Sequence, residues 1–442
     1  MTKFWTILLT AALLLGMLAG CTATQPAPAE PATQPPTVET EPPVTQPPHE
    51  PVTIRWWAYE DPVTTPLFLQ WLDRLKQAYP WLTVEMTWLD SQRGSQKVTA
   101  ALANGEQPDI LWDTYENLAP ILLQGKAASL ESVPAADAEA PETTGVYSLT
   151  TDVSSGAAIV CNMAMARELG IEDLLPADGI SWSYEDFLTC LRKAKAAGKY
   201  GIGLYAGSDE DDFWYYSWLL GADVKILDVK KGTLLANNTK YRTNARKVLT
   251  LFQTVLDEEL CPDGAEYLTA TDAKAIWYTG ETLFAHATTC DAAMLQALYE
   301  NGTSCVSEFA LFAQPTFDGR EGGGDCAVTG GRGVIAFDNG DQAKLDAAYT
   351  AIAYMRSDEG GYFQAVSQLD ETVTEMDLRF QSYETAHCRS DWGCEEAWFE
   401  DFRQSLIPHL SDFFDGDITA KKMLTRWESA AKKAIAAYKA AH

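Results

Sequence analysis

The sequence predicts an α/β protein with more than one lobe, on three observations. The chain has 442 residues, too many for one small core and suited to two or three lobes. With 46% hydrophobic and 11% aromatic residues it has the composition of a globular protein. From Val52 onward strand patterns alternate with helix patterns, as parallel sheets with helical crossovers require. The unit that organises the rest runs from Ser95 to Asp113. Val98, Ala101 and Leu102 share one helical face, Gly105 falls where a left-handed cap closes a helix, and Pro108 forbids a restart. Ile110, Leu111 and Trp112 then make a short apolar strand that hands Asp113, Thr114, Tyr115, Glu116 and Asn117 to its carboxyl end. Ligands of open α/β sheets bind outside the carboxyl ends of strands, so this unit predicts a binding site.

Taken in order, the first twenty residues predict a signal segment. Lys3 supplies positive charge, and Phe4 to Leu18 form an apolar core short for a membrane span. Leu18-Ala19-Gly20-Cys21 resembles a bacterial lipobox, which implies cleavage before Cys21 and diacylation of its thiol. The alternative is an ordinary secretory signal with a chance cysteine. From Thr22 to about Glu50, proline, threonine, glutamine and glutamate are too dense to build a core, and they predict a semi-rigid tether. A proline-rich docking motif is the competing reading.

The folded body starts with the strand Val52 to Trp57, whose carboxyl-end loop holds Ala58 to Asp61. Leu67 to Ala78 predicts a helix burying Phe68, Leu72 and Leu75, and Leu82 to Leu89 a second strand. Leu118 to Leu123 begins another helix, and an alanine-rich acidic passage to about Thr144 predicts mobility. Val146–Leu149 and Ala157–Cys161 are strands flanking a passage that can carry the chain between lobes. Met163–Leu169, Tyr184–Ala197 with Ser183 as N-cap, and Arg246–Asp257 are helices. Tyr200–Leu204, Glu281–His286, Val306–Phe312 and the glycine-led Gly330–Phe337 are strands. Gln342–Met355 and Ala420–Ala441 are helices.

Charge and chemistry narrow the function. A formal charge of −29 without a basic patch argues against a nucleic-acid partner, and acidity this general is a solubility trait. No GxSxG, HExxH or GxxxxGK[ST] occurs, and the five histidines are scattered, so neither a hydrolase motif nor a metal or other cofactor is predicted. A glycosidase would need two carboxylates flanking a bond, and 62 acidic residues make chance pairs unavoidable. Asp415-Gly416-Asp417 lacks the other ligands of a calcium loop and reads as a turn. Beyond Cys21 eight cysteines remain, an even set that permits disulfides; Cys388 with Cys394 encloses the shortest loop. Cys161 and Cys190 sit in apolar patterns and read equally as buried thiols, and no CxxC suggests zinc.

Several landmarks in order carry a resemblance. After the lipobox come VTIRWWAYED, YPWLTVEMTW and VTAALANGEQPDILWD, then AAIVCNMAMARELGI and WSYEDFLTCLRKAKAAGKYGIGL, and finally Phe413 to Ala420 before the closing helix. The chain resembles the family 1 extracellular solute-binding proteins, lipid-anchored receptors of ABC importers for sugars, over essentially everything after Val52. The resemblance implies a two-lobed, type II periplasmic-binding-protein-like α/β clamp that closes on a solute in its cleft. It implies a signal peptide at 1–20, a tether at 21–50, a first lobe of 51–151 and 316–370, and a second of 152–315 and 371–442. It departs from the family at Met163, where a basic or polar residue is common, and from Ser367 to Trp398 no ligand-loop pattern is placed.

The implied function is capture of a polar solute, a carbohydrate first, by a monomer on the extracellular face of the membrane, with ABC permease subunits as partners and no enzymatic activity. Candidate ligand-binding residues are Tyr59, Glu60 and Asp61 after the first strand, Trp112, Asp113 and Glu116 after the third, and Asp152 at the crossover. Asp212, Trp214 and Tyr215 follow a later strand, and Arg332 opens the glycine-led one. Carboxylates and amides hydrogen-bond sugar hydroxyls while aromatic faces pack on C–H surfaces. For each aromatic the competing reading is a core side chain, and for each carboxylate a solvated loop. A surface sensor or adhesion protein of the same fold, or a receptor using the run Asp209 to Asp212 for a polyamine, stays open.

Overall fold

Val52–Tyr59 forms β1 because its β-branched and aromatic residues suit a strand buried on both faces. In the computed structural model, residues 49–441 are described except 61–63, 91–92, 135–137, 140–145, 151–154, 209–211, 229–230, 232, 289–290, 330, 371–382, 384–385 and 390–397. The signal segment, Cys21 and nearly all of the tether lie outside these residues, as do Asp61, Asp152 and Asp209 to Asp211.

The first sheet has the order β2-β1-β3-β13-β5-β4, where β2 is Leu82–Leu89, β3 Ile110–Thr114, β4 Ala138–Glu139, β5 Val146–Thr150 and β13 Arg332–Ala336. β1 is parallel to β2 from Val52↔Leu82 to Tyr59↔Leu89 and parallel to β3 on its other side. β13 inserts antiparallel between β3 and β5. Strand alternation sends Ile54, Trp56, Ile110 and Trp112 to one face, under the helices Thr64–Ala78, Gln342–Arg356 and Tyr362–Asp370. Trp57 and Leu111 go to the other face, under Gly94–Asn104 and Tyr115–Leu123. On the first face Trp56, Phe68 and Trp71 meet edge to face at 5.2 and 5.5 Å from the Trp56 centroid.

Local signals set the ends of these elements. Gly105 takes φ 70° and donates to Ala101 O, closing its helix as the sequence requires. Buried Asp109 accepts from Arg55 N at 2.7 Å and from Asn339 Nδ2 at 2.8 Å, pinning the far end of the sheet. The helix after β3 starts at Tyr115, three residues earlier than expected, so Tyr115 to Asn117 form its first turn and not a loop. The alanine-rich passage is not mobile throughout: Leu130 and Val133 are buried in the first core.

The second sheet has the order β14-β12-β6-β10-β7, with β11 on β6. Here β6 is Ser155–Asn162, β7 Tyr200–Ile202, β10 Thr282–Thr288, β11 Phe309–Phe312, β12 Cys326–Thr329 and β14 Cys388–Arg389. A separate hairpin pairs β8, Leu227–Asp228, with β9, Thr233–Leu234. One face carries the larger core, covered by Tyr184–Ala196, Phe213–Gly221, Arg242–Asp257, Phe399–Phe414 and Ala420–Ala441. The other carries Trp277 and Leu295 from the helices Ala270–Tyr278 and Ala292–Glu300. Ser183 caps its helix as expected, in a reciprocal box with Asp186. Cys161 and Cys190 are buried thiols, and burial pushes Cys190 up to about 12. Gly416 takes φ 84° at a helix end, which makes Asp415 to Asp417 a turn.

Two short passages join the sheets: β5 ends at Thr150 and β6 begins at Ser155, while β12 ends at Thr329 and β13 begins at Arg332. Residues 326–329 pair with β6, so the chain returns to the first sheet after Thr329 and not near Thr316, which itself bridges Ser183 within the second body. The result is a two-lobed α/β architecture.

Candidate functional site

The carboxyl ends of β1, β3 and β5 and the amino end of β13 form one edge of the first sheet. The start of β6 and the ends of β10 and β12 form an edge of the second, and the two edges are joined through the 150–155 and 329–332 passages. Ligands of open α/β sheets bind outside such strand ends, so groups at either edge are the candidates.

On the first edge the structure brings together four of the expected residues. Tyr59 is half-buried, its ring lying over Gly94 so closely that a Cβ at that position would sit 2.5 Å from the Tyr59 hydroxyl. Glu60 follows it, exposed. Asp113 is buried, its Oδ1 accepting from Thr114 N at 2.7 Å and Asn117 Nδ2 at 2.9 Å. Arg332, paired with Thr114 across the strands, holds its guanidinium 5.5 Å from the Trp112 ring centroid. Glu116 is on the adjoining helix; its side chain lies outside what is described.

The expected aromatic platforms are core residues. Trp112 is 4% exposed, packed on Phe68 and Tyr362 at 5.2 and 5.8 Å. Trp214 is 0% exposed, and Tyr215 is buried with its hydroxyl donating to Tyr205 O. Both lie on Phe213–Gly221, a helix apolar all round, and such helices are buried on every side. Asp212 just before it is also buried, ion-paired to Arg403 Nε at 2.9 Å. These four offer no free face to a solute: Asp212 anchors a helix, and the three rings fill cores.

The second edge holds groups that sequence reasoning passed over. Thr288 ends β10, half-buried, and Ser208 follows Tyr205 beyond β7, its hydroxyl buried with no hydrogen-bond partner. The strand-end rule that selected Asp113 would also have selected Thr288. His286 carries no local signal beyond being one of five scattered histidines. It lies buried on β10, stacked on Trp214 at 4.1 Å and edge-on to Tyr205 at 6.0 Å, with no hydrogen-bond partner at either ring nitrogen. Among the described residues no group of His, Cys, Asp and Glu is gathered to hold a metal ion.

Burial, with Lys274 adding repulsion, lowers the His286 pKa from 6.5 to about 3. The unfolded chain then binds a proton that the folded one refuses, so this contribution is complete above pH 6.5 and is lost as pH falls toward 3. Between pH 6.5 and 5 we expect wild type to lose about 2 kcal/mol more than His286→Phe. Urea unfolding of both proteins across that range checks this; parallel curves contradict it.

The model of the bacterial extracellular solute-binding protein family matches residues 61–362, more than half of the chain. The chain belongs to that family. Solved structures agree with this solute-binding protein in fold. The GacH receptor of Streptomyces glaucescens, solved unliganded and with acarbose and an acarbose homolog, is 15% identical with a TM-score of 0.67, over 86% of this chain and 98% of its own. An ABC substrate-binding protein of Listeria monocytogenes in complex with cycloalternan is 14% identical with a TM-score of 0.67, over 88% and 100%. Maltose-bound MalE3 of T. maritima is 14% identical with a TM-score of 0.64, over 86% and 99%. No curated protein sequence matches the chain. The family is extracellular and one of binding proteins, and no helix among the described residues is long and apolar enough to cross a membrane.

Proposed function

We propose that this solute-binding protein captures a carbohydrate between the two sheet edges and delivers it to an ABC importer. In this reading acyl chains on Cys21 hold it at the outer face of the membrane and residues 22–50 space it from the surface. The observation that carries the reading is that two strand-end edges, each on its own sheet, are joined through two passages of a few residues. Structurally similar proteins hold acarbose, cycloalternan and maltose, all carbohydrates. The first lobe comprises 51–151 and 332–370, the second most of the remainder. A solute touching both favours the closed state by its differential affinity. Glu60 accepts from sugar hydroxyls, and Arg332 donates to them.

A thermal-shift screen over oligosaccharides, polyols, polyamines and peptides tests this. An oligosaccharide raises the melting temperature; a response confined to polyamines or peptides contradicts it. With that sugar, Arg332→Ala weakens binding by about 1.5–3 kcal/mol, the worth of hydrogen bonds to a charged group. The variant stays folded; among its losses is the contact with the Trp112 ring, worth ~0.5–1 kcal/mol. Calorimetric titration beside a melt checks both, and unchanged affinity removes Arg332 from the site.

A further inference from the structure

The segment that returns from the first lobe is stapled to the second sheet just before the chain leaves it. Tyr383 Oη donates to Gly324 O at 2.8 Å, Arg389 Nε and Nη2 donate to Asp325 at 2.9 and 3.2 Å, and His387 Nδ1 lies 3.4 Å from the same carboxylate. Within this staple, parallel strands β12 and β14 place Cys326 directly opposite Cys388, and the two sulfurs are 3.2 Å apart. Neighbouring strands lie about 4.8 Å apart. That spacing falls inside the Cα separation of roughly 4.4–6.8 Å that a disulfide spans.

We infer that Cys326 and Cys388 form a disulfide in the extracellular protein. The inference rests on the extracellular location the family carries, and not on which solute is bound. Cys326 is buried, while Cys388 is half-buried and lines an open cavity of about 630 Å³ with Asp223, Lys240 and Arg389, through which a partner reaches the pair. The oxidant is a protein disulfide of the dithiol-oxidase class. Cys388 as thiolate attacks it, its S–S bond breaks, and Cys326 displaces the mixed disulfide. The Sγ–Sγ bond forms, and two electrons and two protons leave as the oxidase's two thiols. The loop so closed contains β13 and the helices Gln342–Arg356 and Tyr362–Asp370, the chain's second excursion into the first lobe. Both feet of that excursion are then fixed at one point of the second sheet.

The sequence makes the test direct. Trypsin releases Cys326 in Glu321–Arg332, Cys388 in Phe380–Arg389 and Cys394 in Ser390–Arg403, each with one cysteine. The full chain, exported to an oxidising compartment and alkylated unfolded without reductant, should yield the first two peptides linked, separating on reduction. Both peptides singly alkylated, or Phe380–Arg389 linked to Ser390–Arg403, overturns the inference. In parallel, dithiothreitol should lower the melting temperature of wild type by several degrees more than that of Cys388→Ala. An equal response in the two proteins also overturns it.

Discussion

Trp214→Ala lowers the unfolding free energy by about 3–5 kcal/mol, the range for truncating a large buried aromatic. The indole is fully buried, stacked on His286, in contact with the Tyr215 ring at a centroid distance of 3.6 Å, and edge-on to Tyr205 and Phe252 at 5.4 Å. Alanine leaves a void beneath the carboxyl ends of β7 and β10 that these rings fill only in part. Solute affinity at temperatures where the variant is folded changes far less than stability, since the ring presents no face to the edge. Trp214→Phe recovers part of the loss by keeping an aromatic in the stack. Denaturant unfolding and calorimetry on the same samples separate the two roles; lost affinity with unchanged stability would return Trp214 to the binding site.

Arg403→Ala costs about 3–5 kcal/mol for a different reason. Asp212 is 3% exposed, and its Oδ2 accepts from Arg403 Nε at 2.9 Å. Tyr216 Oη approaches the same oxygen at 3.5 Å. Removing the guanidinium takes a cation away from a carboxylate held in the second core, between the helices Phe213–Gly221 and Phe399–Phe414. The double variant Asp212→Asn with Arg403→Leu restores most of the loss, because a buried pair removed together leaves no uncompensated charge. Urea unfolding of both variants decides: a cost below about 1 kcal/mol for Arg403→Ala would show the pair to be solvated.

What the sequence shows and hides follows from range. β1, β2, β3 and the Gly105 cap are legible because their signals are local: apolar runs of strand length and a glycine at a left-handed position. As candidates, Tyr59, Glu60 and Asp113 follow from the strand-end rule and Arg332 from its place at the head of the glycine-led strand. The insertion of β13 between β3 and β5 was not, since Ile335 pairs with Leu111 across more than two hundred residues and no local pattern encodes that partner. Nor was the fate of Trp214. Phe-Trp-Tyr-Tyr-Ser-Trp-Leu-Leu-Gly has no polar face, so its helix shows no period, and position after a strand made it look like a platform. Asp212 failed likewise, because its cation comes from a helix nearly two hundred residues later. The return after Thr329 was misplaced because no local pattern marks Cys326–Thr329 as a strand of the second sheet, whose partners Ser155 and Gly156 lie far earlier in the chain.

Small-angle X-ray scattering of the protein with and without the sugar found by thermal shift asks whether the two lobes close on a carbohydrate. Closure of the lobes predicts a smaller radius of gyration at saturating sugar, while Arg332→Ala needs more sugar for the same change. An unchanged scattering profile at full occupancy, with occupancy set by calorimetry, would contradict the clamp.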